Sequence, residues 1–172
     1  QRAAPARLGV LVLAGNVFTA CVQPWSLGLL ARAPLLVKAS SRDDTLPRLL
    51  HAALAEADPT LADACAVVTF PGGTPRLEEP LLARADVVSA FGSDRTLASI
   101  RRRLSPTAHF VPHGHGLGVG FVPAGADPQA AAAGFALDVA AYDQRGCLSP
   151  HAIWVEGDGR PFARALADAL ER

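Results

Sequence analysis

The stretch Leu8-Gly9-Val10-Leu11-Val12-Leu13-Ala14-Gly15-Asn16 decides the architecture. Residues 8–14 are continuously apolar and stop at a glycine. A run this short and uniformly apolar reads as a strand buried on both faces, as in parallel sheets. Short strand-like runs recur at 35–38, 65–70, 87–91, 109–111, 119–122 and 152–156. Helical patterns lie between them. The one at 23–33 starts near Pro24 and is apolar enough to read as a buried helix. Another follows the polar loop 40–44, with apolar positions at Leu46, Leu49, Leu50, Ala53 and Leu54. Further patterns cover 77–84 and 95–104. Asp127 before Pro128 is a strong helix start for 127–142, and 160–170 is a final amphipathic helix. Strands alternating with helices, with Gly- and Ser-bearing turns at strand ends, specify an α/β domain with a mostly parallel sheet. Neither an internal repeat nor a low-complexity linker divides the chain.

Composition bounds the function. A chain of 172 residues can bury about 70% of the surface its unfolded form exposes. With 50% hydrophobic and 19% charged residues it is neither disordered nor collagen-like. Sixteen basic and sixteen acidic residues cancel, which argues against nucleic acid or an anionic membrane as the main partner. No apolar run approaches the roughly 18 residues of a membrane span, and no signal-peptide series is visible. Cys21, Cys65 and Cys147 are odd in number and widely spaced, so they form neither a disulfide framework nor a zinc site. A reducing cytoplasm fits this cysteine usage. The lack of any methionine suggests a piece of a longer product. Fifteen of the sixteen basic residues are Arg, so Lys38, the single lysine, marks a place where a compact ammonium is needed.

Several residues could carry chemistry. Cys147 lies in Tyr142-Asp143-Gln144-Arg145-Gly146-Cys147-Leu148-Ser149-Pro150, a polar turn region where a thiol is reachable and Arg145 could stabilise its thiolate. Cys21 and Cys65 sit among apolar neighbours and read as structural. Asn16 ends the first strand, where ligands of open α/β sheets bind and where an amide could serve an oxyanion. Lys38, Ser40, Ser41 and Arg42 end the second strand with a donor set suited to ribose and phosphate. Pro71-Gly72-Gly73-Thr74 and Phe91-Gly92-Ser93 are glycine turns between strand and helix, where phosphates can sit. His113 and His115 stand in a glycine-rich loop and are candidate pocket lining. No metal site is expected.

Taken together, these positions resemble the aldehyde dehydrogenase superfamily, and within it the acyl-CoA reductase (LuxC-like) branch. The resembling stretches are Ala14-Gly15-Asn16-Val17, residues 36–43, Phe91-Gly92 and above all residues 142–150. The resemblance implies a Rossmann-like nucleotide-binding domain with helices on both faces of the sheet. It places that domain at 1–146 and the start of the substrate-side segment at 147–172, packed with the first as one unit. It also implies roles. Cys147 would be the nucleophile, forming a thioester or thiohemiacetal, and Asn16 with the Cys147 N–H would form the oxyanion hole. Lys38 would contact the adenosine ribose, and Gly92-Ser93 would sit under the pyrophosphate.

Two departures from the commoner family pattern refine the expectation. Where hydrolytic members carry a ribose-binding Glu this chain has Ser41 followed by Arg42, which tolerates a 2′-phosphate and favours NADPH. Where they carry a general-base Glu it has Pro112-His113-Gly114-His115-Gly116, so water attack on the thioester is not promoted and coenzyme A becomes the natural acyl carrier. The implied activity is reduction of a fatty acyl-CoA to an aldehyde by a cytoplasmic protein. The expected partners are an acyl thioester, with a homo-oligomer or an acyl-transferring protein besides. Three rivals remain: another superfamily oxidoreductase such as an acylating aldehyde dehydrogenase, a thiol hydrolase pairing Cys147 with His113, His115 or His151, and a non-catalytic nucleotide-binding module.

Overall fold

The computed structural model describes residues 6–146 and 148–171, so Cys147, the expected nucleophile, lies outside the described residues. The chain forms two compact units, Gln1–Gly114 and His115–Arg172. This division of contacts falls earlier than 146/147, a boundary drawn on the nucleophile segment and not on packing.

The first unit holds β1 (Gly9–Val12), α1 (Val22–Leu30), β2 (Leu35–Ala39), α2 (Thr45–Ala57), α3 (Pro59–Asp63), β3 (Cys65–Thr69), α4 (Pro75–Arg84), β4 (Val87–Phe91), α5 (Asp94–Arg101) and β5 (His109–His113). Its five strands are all parallel, in the order β3-β2-β1-β4-β5. β1 is central, which is why its sequence shows no polar alternation: Val10 and Leu11 are both buried, on opposite faces. One face packs Leu11, Leu13 and Val37 against Cys21, Trp25 and the inner leucines of α2. The other packs Val10, Val88 and Ala90 against Leu82, Leu97 and Ile100 of α4 and α5.

In the first unit, three differences from the sequence expectation bear on the site and its surroundings. The helix expected at 23–33 spans Val22–Leu30 and buries only Trp25, with Leu27 and Leu30 in solvent. Its sequence is apolar all round, but the sheet covers only one side of it. α3 was not expected: Asp58 caps it by accepting from the N–H groups of Thr60 and Leu61, with Pro59 at its start. β5 runs on to His113 through Pro112, so His113 belongs to a strand and not to the glycine loop. An edge strand tolerates proline because its outer N–H groups have no ladder to join.

The second unit contains β6 (Gly118–Val122), α6 (Pro128–Ala140), β7 (Pro150–Val155) and α7 (Arg160–Leu170). β6 and β7 form a two-stranded parallel sheet. Val122, Ala132, Phe162 and Ala165 make its core, with Phe135 meeting Phe162 edge to face at 5.7 Å. Asp127 caps α6 as expected, accepting from the Gln129 N–H. That helix stops at Ala140, two residues short of the expected end, because Tyr142, Asp143 and Gln144 all take left-handed φ angles of 55°, 50° and 60°. The Gln144 amide turns back to donate to the Val139 carbonyl at 2.9 Å.

Candidate functional site

In a fully parallel sheet all strands end on the same edge. Here that edge collects the turns after β1, β2, β3 and β4. The chain steps from β1 to β2 and β3 on one side, then returns to lay β4 and β5 on the other. The strand order therefore reverses between β1 and β4, and ligands of open α/β sheets bind outside the strand ends at such a point. Asn16 stands just after β1, Lys38 to Arg42 at the end of β2, Gly72-Gly73 after β3 and Gly92-Ser93 after β4. Every expected nucleotide-side residue thus lies on one edge of the first unit.

Each is held for a local reason. A Cβ on Gly15 would stand 2.3 Å from the Ser40 Oγ and 2.9 Å from its Cβ, so only glycine lets the two strand-end turns pack. Ser40 is itself buried, and its hydroxyl accepts the Arg42 N–H at 3.1 Å. Ser40 thus faces inward and shapes the turn, while Asn16, Ser41 and Arg42 are exposed. Lys38 is 7% exposed, with its Nζ 5.3 Å from the centre of the Phe70 ring. Burial pulls its pKa below the usual 10.5, and the charge of Glu78 opposes that pull. Ser93 caps α5, accepting the Thr96 N–H at 3.3 Å, and the Gly92 N–H donates to the His113 carbonyl at 3.2 Å. Gly73 takes φ +78°, and a Cβ at either Gly72 or Gly73 would meet open space. Behind these turns, Asp44 accepts from the Thr69 hydroxyl and from Arg48 Nε, both at 2.6 Å. Those two bonds hold the Asp44 carboxyl below its ordinary 3.8 and fasten the start of α2 to the end of β3.

The donor set of an ammonium, hydroxyls, a guanidinium and a helix start fits a phosphorylated ribose. His113 stacks on Phe91 with ring centres 4.1 Å apart, its Nε2 3.1 Å from the Ser89 hydroxyl. His115 begins the other unit, and His151 pairs through Nδ1 with the Ser149 carbonyl at 3.2 Å. Burial raises the thiol pKa of both Cys21 and Cys65, the Trp25 indole partly opposing it at Cys65, so neither thiol ionises readily. Upstream of Cys147, the Arg145 guanidinium is engaged by Asp143 at 3.2 Å, a partner that the thiolate role did not foresee. Among the described residues no three His, Cys, Asp or Glu side chains gather to hold a metal ion, and no helix is long and apolar enough to cross a membrane.

Sequence reasoning missed Phe70, Glu78 and Arg103. They are distant in sequence from Lys38, and no motif marks them.

The chain matches the family described as Acyl-CoA reductase (LuxC) over residues 1–172. A long-chain acyl-protein thioester reductase of Aliivibrio fischeri is 28% identical over 175 aligned residues, covering 99% of this chain and 36% of the relative. An indole-3-acetaldehyde dehydrogenase of P. syringae, solved with NAD+ and IAA, superposes with a TM-score of 0.83 at 21% identity, over 97% of this chain and 34% of that one. A 3,6-anhydro-L-galactose dehydrogenase in complex with NAP gives a TM-score of 0.77 at 25% identity, over 96% of this chain and 35% of that one. The chain spans about a third of the length of the curated relatives it matches. It has the aldehyde dehydrogenase fold over that span.

Proposed function

The chain belongs to the acyl-CoA reductase (LuxC) family, and from that premise we propose that it carries the nucleotide site and the nucleophile of a reductase that turns a long-chain acyl thioester into an aldehyde with NADPH. The observation that carries this reading is the gathering of Asn16, Lys38, Ser41, Arg42 and Gly92-Ser93 on one sheet edge, in a chain that matches the family throughout. A bound nicotinamide supplies hydride. Cys147, as thiolate, adds to the thioester carbonyl carbon; its S–C bond forms as the carbon–sulfur bond to the carrier breaks, and the carrier leaves as a thiolate. Asn16 donates its amide to the carbonyl oxygen as negative charge develops there. Once the acyl carbonyl has been reduced, Cys147 departs as thiolate and the aldehyde is free. Lys38 holds the ribose, Gly92-Ser93 at the start of α5 receives the pyrophosphate, and Ser41 with Arg42 accepts a 2′-phosphate.

Coenzyme A is the carrier that the sequence favours. The Aliivibrio fischeri relative is named for an acyl-protein thioester, which makes a protein-bound thioester the competing carrier. A fluorescent long-chain acyl group offered as either thioester, followed by peptide mapping, tests both. The expected result is label on Cys147, absent in Cys147→Ala and released as aldehyde faster by NADPH than by NADH. No label from either carrier overturns the covalent mechanism. Label lost equally fast to water, without nicotinamide, favours the hydrolase instead.

A further inference from the structure

β7 is an edge strand whose outer side is unprotected. The Glu156 N–H donates to the Val122 carbonyl at 2.9 Å, so the backbone of Glu156 faces β6. Backbone groups of alternate residues in a strand point to opposite sides. Those of Trp154 therefore also face β6, and those of Ile153 and Val155 face away, where no strand lies among the described residues. Such an edge is normally blunted by charge, proline or a bulge. No charged residue occurs in Pro150–Val155, and its proline and the register shift of its ladder both stand at its start. The edge opens onto an apolar groove that Ile153 and Val155 share with Ala163, Leu166, Ala167 and Leu170 of α7. α7 is thus apolar on two sides: Phe162 and Ala165 are buried in the core, while Ala163, Ala167 and Leu170 are exposed. Trp154 is exposed on the opposite face of the sheet. An aliphatic ligand in the groove would cover the helix but leave the outward N–H and C=O groups of Ile153 and Val155 dry and unpaired, which is costly. A strand satisfies both.

We propose that this edge docks a second copy of the chain, the two β7 strands pairing antiparallel about a two-fold axis at Trp154 and joining both small sheets into one. Ile153 then stands opposite the partner's Val155, and Val155 opposite the partner's Ile153, each pair exchanging both backbone hydrogen bonds. Trp154 meets its own copy at the axis, a non-hydrogen-bonded position where facing side chains come closest. The axis is normal to the sheet, so it also lays α7 antiparallel against its copy, and the exposed Ala163, Ala167 and Leu170 close the groove from both sides. Charge selects this partner. Arg160 and Arg164 lie in the first half of α7, and Glu171 follows its end. Arg160, Ala163, Ala167 and Glu171 share one helix stripe, so reversal sets the basic end of each helix beside the acidic end of the other. A partner surface of a single sign would match only one of those ends.

Sedimentation of the purified chain over a range of concentrations tests this. The expected result is a reversible dimer. Trp154 fluorescence should shift to the blue as the dimer forms, since the other tryptophan, Trp25, is already buried. Trp154→Lys sets two ammonium groups face to face at the axis, and Ala167→Trp wedges the seam between the helices; each should raise the dissociation constant at least about tenfold. Both positions are exposed in the single chain, so circular dichroism should show the fold unchanged. Arg160→Glu should weaken the dimer about three- to tenfold, and adding Glu171→Arg should restore it, which unspecific sticking of apolar surface would not do. A chain that stays monomeric throughout overturns the proposal, as does a dimer that neither Trp154→Lys nor Ala167→Trp weakens. A monomer that binds a fluorescent fatty acid, with binding lost in Ala167→Trp, overturns it in favour of an aliphatic occupant.

Discussion

Consider one hydrogen atom, that on the Cα of Gly15 which a methyl group would replace. The new carbon would sit 2.3 Å from the Ser40 Oγ, and Ser40 cannot swing away because it is buried and bonded to the Arg42 N–H. Gly15→Ala should therefore cost about 1–3 kcal/mol and displace the turn that carries Ser41 and Arg42. Urea unfolding would show the loss, and adding Ser40→Gly should recover most of it by removing the clashing atoms. An equal loss in the double variant would put the cause elsewhere. At this scale the sequence told which residues end the strands, so Asn16, Lys38 and Gly92-Ser93 could be named. It could not tell that Ser40 faces inward while Ser41 faces out, because that depends on how closely β1 approaches the turn after β2. Nor could it name Glu78: an acidic residue in the first turn of a helix has a local explanation in the helix dipole, which hides its tie to Arg103, 25 residues on.

Between elements, that same tie joins α4 to α5 on one face of the sheet. Burial pushes the Glu78 carboxyl up, but hydrogen bonds from Arg103 and the Gly73 N–H, with the charges of Arg103 and Lys38, outweigh it and hold the pKa below 4.5. A carboxyl held low in the folded state adds stability that is complete above its unfolded pKa and lost as pH falls through its folded one. Glu78→Gln should then be about 1–3 kcal/mol less stable than the parent at pH 7. The gap should close as pH drops below 4.5, where the parent's carboxyl also becomes neutral. Comparing the two proteins cancels Asp44 and Asp86, whose carboxyls are also held low. Chemical denaturation at several pH values checks this, and a gap that persists into acid would show that shape and not charge is at stake. Elements themselves were largely legible, since buried parallel strands advertise themselves by unbroken apolar runs. Two features escaped for physical reasons. Apolarity around all of 23–33 cannot say which side meets the sheet, and α3 is too short to show a period, leaving only Asp58-Pro59 as its signal.

Across the whole chain, stability should be uneven between the units. In the first, β1 is paired on both sides and layered on both faces, and Val10, Val37, Val88 and Ala90 are at most 1% exposed. In the second, both strands are edges of a two-stranded sheet, and Val119, Phe121 and Trp154 show 54%, 62% and 63% of their surface to solvent. Two strands with one covered face are marginal by themselves, so β6 and β7 should open more readily than β1. Hydrogen exchange followed by mass spectrometry would read this directly, with peptides covering 9–12 protected at least about tenfold more than those covering 118–122, a difference of about 1.4 kcal/mol in opening free energy. Saturating NADPH stabilises the state that binds it, so a ligand held at the β1, β2 and β4 ends should slow exchange in the first unit. Protection rising only in 115–171 would place the nucleotide away from that edge and unseat the assignment of Lys38 along with it.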